Sequence, residues 1–284
     1  MTPFAIPFPD IDPVAISLGP VVVKWYGLAY MAGLVLGWLY IRRLLATERL
    51  WPAATPPFPL AKVDDLLLYM TVGVVLGGRL GFVLLYEPGY YLSNPLDILA
   101  VWKGGMAFHG ALIGCGLAIV LFARAHRVDP LSAMDLCAAA VPLGLLFGRL
   151  ANFINGELYG RPTDVPWGMV FPEARLFHPQ TEPTPRHPSQ LYEAALEGLA
   201  LFLVLRIATH RLGALRAPGR VVGLFLVGYG LARSLAELFR EPHGGHALNI
   251  GPLTAGIAYS IPMILLGLYF LWRARAAAGA SAAP

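Results

Sequence analysis

The chain has 284 residues, of which 57% are hydrophobic and 13% are charged, and its formal net charge is +4 at pH 7. Soluble domains carry roughly 25% charged residues, so this composition excludes an ordinary soluble domain and predicts a protein embedded in a membrane. Several apolar runs reach the ~20 residues that a helix needs to cross a bilayer. We therefore expect one integral membrane unit over residues 1–284.

The apolar runs are separated by prolines and charges, which predicts an all-α integral membrane fold with seven transmembrane helices. The predicted spans are residues 21–45, 64–86, 106–123, 131–150, 188–207, 221–239 and 252–272. Residues 151–187 are too polar and too rich in proline to span, so we expect an irregular extracytoplasmic head between the fourth and fifth helices. Residues 1–20 hold five prolines and should form an extended or surface-lying segment.

The distribution of lysine and arginine predicts which side of the membrane each end of the chain occupies. If the amino terminus is outside, the inner connections hold twelve of the 21 basic residues. Because basic residues are enriched in inner loops, we expect the amino terminus outside and the carboxyl terminus in the cytoplasm. The twelve residues are Arg42, Arg43, Arg49, Lys62, Arg124, Arg127, Arg206, Arg211, Arg216, Arg220, Arg273 and Arg275.

The stretch 148–163 is unusually polar for the end of a predicted span. Its charged and amide side chains are Arg149, Asn152, Asn155, Glu157 and Arg161. Arg149 and Asn152 are three residues apart, so they share a face if the helix continues. Gly156 and Gly160 allow positive φ or a close approach of backbone to a ligand. A polar helix cap at the bilayer surface is the simpler interpretation of the same stretch.

The sixth predicted span carries a polar stripe. Tyr229, Arg233 and Glu237 are spaced by four residues and therefore lie on one helix face. Arg233 lies about twelve residues, roughly 18 Å, from the inner end of the span, which predicts a position in the outer half of the membrane. Charged groups at that depth are costly and face a cavity or a partner. A structural ion pair between Arg233 and Glu237 is the simpler alternative.

Two further motifs open predicted spans on the outer side. Tyr26 begins the first span and His109 the third, although an aromatic belt and a hydrogen-bonded histidine at a helix start would also explain these residues. The run His187–Glu193 has the pattern of a capped helix start. Ser189 is the expected N-cap, and Glu193 falls in the first turn.

Five motifs, in one order, resemble the signatures of the prolipoprotein diacylglyceryl transferase family. They are Lys24–Gly27, Gly104–Gly110, the pattern GRxxNFxNxExxGxxT over 148–163, His187–Glu193 and Tyr229–Arg233. The resemblance implies an enzyme of the bacterial cytoplasmic (inner) membrane that catalyses the first step of lipoprotein maturation. In that step the diacylglyceryl group of phosphatidylglycerol moves to the lipobox cysteine of a prolipoprotein signal peptide. A thioether forms and glycerol 1-phosphate leaves, without a cofactor or a metal.

The resemblance also implies catalytic roles. A free thiol has a pKa of about 8.5, so it needs a base or a positive field to attack as a thiolate. His109 is the candidate base, because an imidazole titrates near pH 6.5. Alternatively, an arginine stabilises the thiolate and His109 holds the leaving glycerol phosphate. Arg149 and Arg233 are the candidates for stabilising the charge that develops on the phosphate.

The other candidate residues are expected to support those groups. Glu237 would orient Arg233, while Tyr26 and Tyr229 would hydrogen-bond the substrate or the base. The predicted phosphatidylglycerol site consists of Arg149, Asn152, Glu157, Gly160 and Arg233.

A membrane transporter of lipids or anions is the competing function, with the same arginines binding the headgroup. It predicts polar residues that continue to the inner face, whereas the inner halves of these spans are apolar. Metal chemistry and serine hydrolysis are disfavoured, because the chain lacks an HExxH and a GxSxG motif. The histidines are not spaced as a metal cluster, and no module for binding nucleic acid is apparent.

Overall fold

The computed structural model describes residues 6–9, 11–172, 184–241 and 254–280. Parts of the predicted head and of the seventh span therefore lie outside the described residues. The chain divides into two compact units: unit 1 holds residues 1–40 and 137–284, and unit 2 holds residues 41–136. The expectation of one integral membrane unit over residues 1–284 stays a prediction.

The described residues are mostly helical. The α-helices are α1 Trp25–Ala46, α2 Val63–Leu85, α3 Pro88–Ser93, α4 Phe108–His126, α5 Pro130–Ile154, α6 Ser189–Glu193, α7 Leu201–His210, α8 Arg220–Glu237 and α9 Ala255–Ala280. A π-helical segment, Ala194–Ala200, joins α6 to α7. Short 3₁₀ helices cover Glu48–Leu50, Pro52–Ala54, Leu60–Lys62, Pro95–Leu99, Val101–Lys103 and Ala214–Arg216. The strands are β1 Ile6–Pro7, β2 Val14–Leu18, β3 Val21–Lys24 and β4 Met169–Val170.

Five helices are long and apolar enough to cross a membrane, which confirms a mostly helical protein of integral membrane type. They are Trp25–Ala46, Leu60–Leu85, Phe108–His126, Pro130–Ile154 and Ala255–Ala276. Each matches a predicted span within four residues at both ends. The predicted fifth and sixth spans are also helical, but they carry the charged residues Glu193, Glu197, Arg233 and Glu237. Seven spans therefore stay a prediction.

The amino-terminal segment corrects the all-α prediction. The first helix begins at Trp25, and the expected helical start at Val21 is wrong because Val21–Lys24 forms strand β3. This strand pairs antiparallel with β2, since consecutive β-branched valines favour extended backbone. Strand β1 pairs in parallel with β4. Two small sheets are thus added to the helical fold.

In unit 1, close helix packing brings the polar stretches together. Gly198 of the π-helical segment lies against Leu146 of α5, where an added Cβ would lie 2.7 Å from the Leu146 Cα. Helix α8 packs on α9 in the same way, since a Cβ on Gly223 would lie 2.9 Å from the Gly267 carbonyl oxygen. Leu201 of α7 is buried. Small residues at these positions allow helix backbones to approach closely in a membrane.

In unit 2, helix α2 packs along α4, again through glycines. An added Cβ on Gly73 or on Gly77 would overlap the backbone of α4 at Gly114. On α2, Arg79 is 3% exposed and donates to backbone oxygens of the connection that leads into α4. Packing and hydrogen bonds of this kind fix the start of α4, where His109 lies.

Candidate active site

The site in unit 1 begins at the carboxyl end of α5. The Nε of Arg149 lies 2.9 Å from Oε2 of Glu193, and its Nη2 lies 3.3 Å from Oε2 of Glu197. Both glutamate side chains are 0% exposed, whereas that of Arg149 is 18% exposed. A buried carboxylate is costly unless it is paired, so the guanidinium and the two carboxylates stabilise one another.

Helix α8 brings a second arginine to the same carboxylates. Nη1 of Arg233 lies 2.8 Å from Oε1 of Glu193 and 3.8 Å from Oε1 of Glu197. Its Nη2 lies 2.5 Å from Oε2 of Glu237, one helical turn further along α8. Just beyond that helix, Nη1 of Arg240 lies 2.9 Å from Oε1 of Glu193. The structural pair between Arg233 and Glu237 therefore exists, within a larger network.

We call this network the arginine–glutamate cluster. Its members are Arg149, Arg233, Arg240, Glu193, Glu197 and Glu237. Their formal charges cancel. The arginine side chains are 16–18% exposed, while Glu193 and Glu197 are fully buried. The arginine side chains are thus partly accessible from outside the cluster, whereas these two carboxylates are not.

The loop after α5 is built around Glu157. Its Oε1 accepts hydrogen bonds from Nδ2 of Asn152 at 2.7 Å and from Nδ2 of Asn155 at 3.4 Å. Its backbone N–H donates to the Asn152 carbonyl oxygen at 3.1 Å. These bonds close the loop onto the last turn of α5, and so hold two predicted headgroup residues next to each other.

The start of α6 is tied to the same loop by side chains. The hydroxyl of Ser189 donates to the Leu158 carbonyl oxygen at 3.0 Å. The predicted N-cap at Ser189 is wrong, because Pro188 occupies the cap position. Gln190 is fully buried, and its amide donates to a backbone oxygen of the loop. These bonds fix the first turn of α6 and with it Glu193.

Gly160 acts through backbone packing. Its N–H donates to the His187 carbonyl oxygen at 2.8 Å, and it pairs with Arg240 in an isolated β-bridge. An added Cβ would overlap the Phe239 carbonyl oxygen and lie 2.7 Å from the Cβ of His187. Gly156, by contrast, is the glycine of this loop with positive φ, at 71°. Glycine at position 160 therefore lets three backbone segments meet beside the cluster.

Two tyrosines of unit 1 border these groups. Tyr229 of α8 is close enough to Arg149 to interact with it electrostatically. The Tyr26 hydroxyl hydrogen-bonds the Tyr30 hydroxyl at 3.0 Å and interacts electrostatically with Glu157 and Arg149. The structure thus brings both predicted tyrosines to the region of the cluster.

Comparison with known proteins now decides the family. The family model of prolipoprotein diacylglyceryl transferase matches residues 13–273. The chain belongs to this family. Its relatives include proteins named phosphatidylglycerol–prolipoprotein diacylglyceryl transferase. The one from Agrobacterium fabrum is 50% identical over 273 residues, which cover 96% of this chain and 95% of the relative. Those from Methylocella silvestris and Phenylobacterium zucineum are each 52% identical, over 266 and 274 residues and 94% of both chains.

Because the chain belongs to a transferase family, the competing function of a membrane transporter is no longer supported.

His109, the candidate base of the family's reaction, lies in unit 2 as the second residue of α4. It is exposed, and its ring meets that of Phe108 edge to face at 5.6 Å. Its chemical role stays a prediction.

Three members of the cluster were not among the predicted site residues. Glu193 was expected only as a first-turn residue, while Glu197 and Arg240 were assigned no role. A signal was present in the sequence, because two glutamates four residues apart within a predicted span each need a partner. What the sequence lacked was the position of those partners, which are more than 35 residues away along the chain.

The remaining groups that could take part in chemistry are metal ligands and thiols. Among the residues that the structure describes, no group of three or more histidine, cysteine, aspartate or glutamate side chains is placed to hold a metal ion. Metal-independent catalysis stays a prediction. Cys115 is half-buried, Cys137 is buried, and the two thiols do not form a disulfide.

Proposed function

We propose that this chain transfers the diacylglyceryl group of phosphatidylglycerol to the lipobox cysteine of a prolipoprotein. This is the reaction for which its relatives are named. The observation that supports the site most directly concerns Arg149. Two buried carboxylates hold its Nε and Nη2, these ion pairs leave Nη1 outside them, and the side chain is 18% exposed.

The reaction exchanges one bond for another at a glyceryl carbon. The cysteine sulfur forms a carbon–sulfur bond while the bond from carbon to the phosphate oxygen breaks. The electron pair leaves with the phosphate, and the thiol proton goes to a base. Negative charge therefore grows on the glycerol phosphate. Guanidinium groups of Arg149 and Arg233, fixed in advance, stabilise that charge, and low local dielectric strengthens the effect.

The proton acceptor in this proposal is His109, which enters from the family resemblance. An imidazole accepts a proton at neutral pH and returns it later. In the other version an arginine stabilises the thiolate and His109 contacts the leaving glycerol phosphate. The pH profile separates the two, because only a base must be neutral before the attack.

The remaining candidate residues shape the site. The ion pair of Glu237 with Arg233 supports an orienting role for this carboxylate. Asn152 and Glu157 are hydrogen-bonded to each other and would line the headgroup site with Gly160. The supporting hydroxyl groups are those of Tyr26 and Tyr229.

We further propose seven membrane spans, an extracytoplasmic head that follows the end of α5 at Ile154, and an active site toward the outer leaflet of the bacterial cytoplasmic membrane. Helix α8 has 18 residues, about 27 Å of rise at 1.5 Å per residue, which approaches the ~30 Å hydrocarbon thickness. The pairing of Arg233 with Glu237 reduces the cost of burying both charges. The basic inner connections support the amino terminus outside.

The orientation is tested by thiol labelling at Leu212, which is 70% exposed between α7 and α8. Leu212→Cys is made with both native cysteines changed to alanine. Labelling by an impermeant maleimide should require permeabilised cells. Equal labelling of intact cells would overturn the orientation.

The transferase function is tested with purified protein, phosphatidylglycerol and a lipobox peptide. Mass spectrometry should show the mass of one diacylglyceryl group added to the peptide cysteine. A peptide with serine in place of that cysteine and vesicles of phosphatidylethanolamine are the matched controls. Absence of the mass gain with folded protein would contradict the proposal, and a chelator should leave the rate unchanged.

A further inference from the structure

Glu197 is a buried carboxylate to which the reaction assigns no direct contact with substrate. Its side chain is 0% exposed, so a lipid or a peptide cannot reach it. Its Oε2 accepts a hydrogen bond from Nη2 of Arg149 at 3.3 Å, and its Oε1 lies 3.8 Å from Nη1 of Arg233. One carboxylate thus touches both arginines that are proposed to bind the phosphate.

The backbone around Glu197 holds this side chain in place. It lies in the π-helical segment Ala194–Ala200, between two regular α-helical stretches. Single π turns within α-helices are rare and often mark functional sites. The next residue, Gly198, lies against Leu146 of α5, the helix that carries Arg149. The position of the carboxylate relative to Arg149 is therefore set by close backbone packing.

Two ion pairs fix the orientation of a planar guanidinium, whereas a single ion pair does not. Glu193 holds Nε of Arg149 and Glu197 holds Nη2, so the plane of the group and the direction of its free edge are both determined. With Glu193 alone, the guanidinium is free to swing about a single ion pair. Misplacing a group by about 1 Å lowers an enzymatic rate by as much as 10²-fold.

Glu197 also sets the charge of the cluster. Three arginines face three glutamates, so the cluster is formally neutral before phosphate binds. Without the charge of Glu197 the cluster would be positive by one unit. Extra positive charge beside a phosphate increases its affinity, and this increase is larger for the glycerol phosphate product than for the singly charged lipid.

We propose, on the basis of the proposed function, that Glu197 is a positioning residue of the transferase reaction. Its carboxylate fixes the orientation of Arg149 toward the phosphate and balances the charge that would otherwise retain the product. Loss of its charge then slows turnover and strengthens product binding at the same time. A residue that merely stabilises the fold would not change product affinity in this way.

The test compares Glu197→Gln with Glu197→Asp. Steady-state rates are measured with phosphatidylglycerol and a lipobox peptide, and glycerol 1-phosphate is added as inhibitor. For Glu197→Gln, kcat should fall about 10- to 100-fold while the KM for phosphatidylglycerol does not rise. The inhibition constant of glycerol 1-phosphate should fall by about three-fold or more.

Glu197→Asp keeps the charge but shortens the side chain. Its kcat should lie between those of the wild type and Glu197→Gln, and its product inhibition should resemble that of the wild type. If Glu197→Gln does not fold, Glu197→Ala removes the same charge, and it should show the same fall in the inhibition constant of glycerol 1-phosphate. A wild-type kcat in the variants, or unchanged product inhibition in folded Glu197→Gln, would overturn the role.

Glu48→Gln is the matched control, because Glu48 is an exposed glutamate outside the cluster. It should match the wild type in rate and in product inhibition. If the wild type and this control both fail to transfer lipid, the proposed function itself is wrong. If both are active and Glu197→Gln behaves like them, only the role of Glu197 is lost.

Discussion

Arg79 in unit 2 and Arg149 in unit 1 are both arginines on membrane helices, but their partners differ. Nε of Arg79 donates to the Ile98 carbonyl oxygen at 2.9 Å, Nη1 to Gly104 at 2.6 Å and to Gly105 at 3.2 Å, and Nη2 to Asp97 at 2.5 Å. All its nitrogens are thus occupied by backbone, and it is 3% exposed.

The partners of Arg149 are side-chain carboxylates instead of backbone oxygens. Its partners are carboxylates at Nε and Nη2, its Nη1 lies outside these ion pairs, and it is more exposed than Arg79. A guanidinium whose nitrogens all donate to backbone carbonyls organises a loop. One that pairs with buried carboxylates through Nε and Nη2 leaves Nη1 able to donate to a ligand. This is the difference that we expect between a structural arginine and the proposed substrate-binding arginine, although both lie in or beside apolar helices.

The largest expected effect is the loss of activity in Arg149→Lys. Lysine keeps the charge but lacks the planar fork that pairs with two carboxylates and a phosphate together. Loss of one donor of this kind lowers kcat by on the order of 10²–10³-fold. Transfer to a lipobox peptide measures the effect per folded molecule, and the unfolding temperature in detergent should fall only moderately, because the ammonium still pairs with one of the two buried carboxylates. Near-normal turnover would show that only a diffuse positive charge is needed there.

The opposite pattern is expected at Arg79. In Arg79→Lys a single ammonium cannot reach the four backbone oxygens that the guanidinium binds, so several of them lose their partner. Buried hydrogen bonds to a charged group contribute about 1.5–3 kcal/mol each, and we expect a loss of about 3 kcal/mol in unfolding free energy. The unfolding temperature of Arg79→Lys should therefore be lower than that of the wild type. Its kcat per folded molecule should differ from that of the wild type by less than ten-fold.

If Arg79→Lys were as stable as the wild type, the structural role of Arg79 would be contradicted. If fully folded Arg79→Lys lost as much kcat as Arg149→Lys, the contrast between the two arginines would also be contradicted, because Arg79 would then act in the reaction. Unfolding and specific activity must therefore be measured on the same preparation.

Sequence reasoning located the membrane helices well, for a physical reason. A span needs about 20 apolar residues, and such a run ends visibly at prolines and charges. The start of α1 was missed because three valines suit a strand as well as a helix. Their pairing with β2 is a contact between chain segments, and hydropathy alone does not report contacts between segments.

Some members of the arginine–glutamate cluster were among the predicted site residues, and others were not. Arg149 and Arg233 stood out because each is a charge in or beside an apolar run, and the structure brings them to the same carboxylates. Glu193 was not recognised as a site residue because a glutamate near a helix start has an ordinary explanation, and Glu197 was assigned no role. Their function as the shared partner of two arginines depends on the packing of α5, the π-helical segment and α8.

A smaller effect is expected from Gly256→Ala, which tests whether the carboxylate of Glu237 orients Arg233. An added Cβ would lie 2.5 Å from Oε2 of Glu237 and 3.0 Å from Nη2 of Arg233. The end of the Glu237 side chain must then move away from its arginine. We expect kcat to fall about ten-fold, equivalent to about 1.4 kcal/mol, with little loss of stability because a flexible side chain gives way.

Gly116→Ala is the control for that methyl group, since an added Cβ there meets nothing within 4 Å. It should leave both kcat and the unfolding temperature unchanged. A Gly256→Ala variant as active as Gly116→Ala would show that the orientation of Arg233 does not depend on Glu237.

The smallest effect is expected for the two cysteines, to which the same distinction between structural and reacting groups applies. Cys137 is buried in α5, twelve residues or about 18 Å from Arg149, and Cys115 lies six residues or about 9 Å beyond His109 on α4. Apolar surroundings disfavour the thiolate, which is the nucleophilic form. The acceptor cysteine should therefore attack the lipid directly, in one displacement.

The double variant Cys115→Ala with Cys137→Ala should keep most of the activity. Mass spectrometry of the wild-type protein during turnover should find no diacylglyceryl adduct. A folded double variant without transfer, or a lipid adduct on either cysteine, would refute the direct displacement.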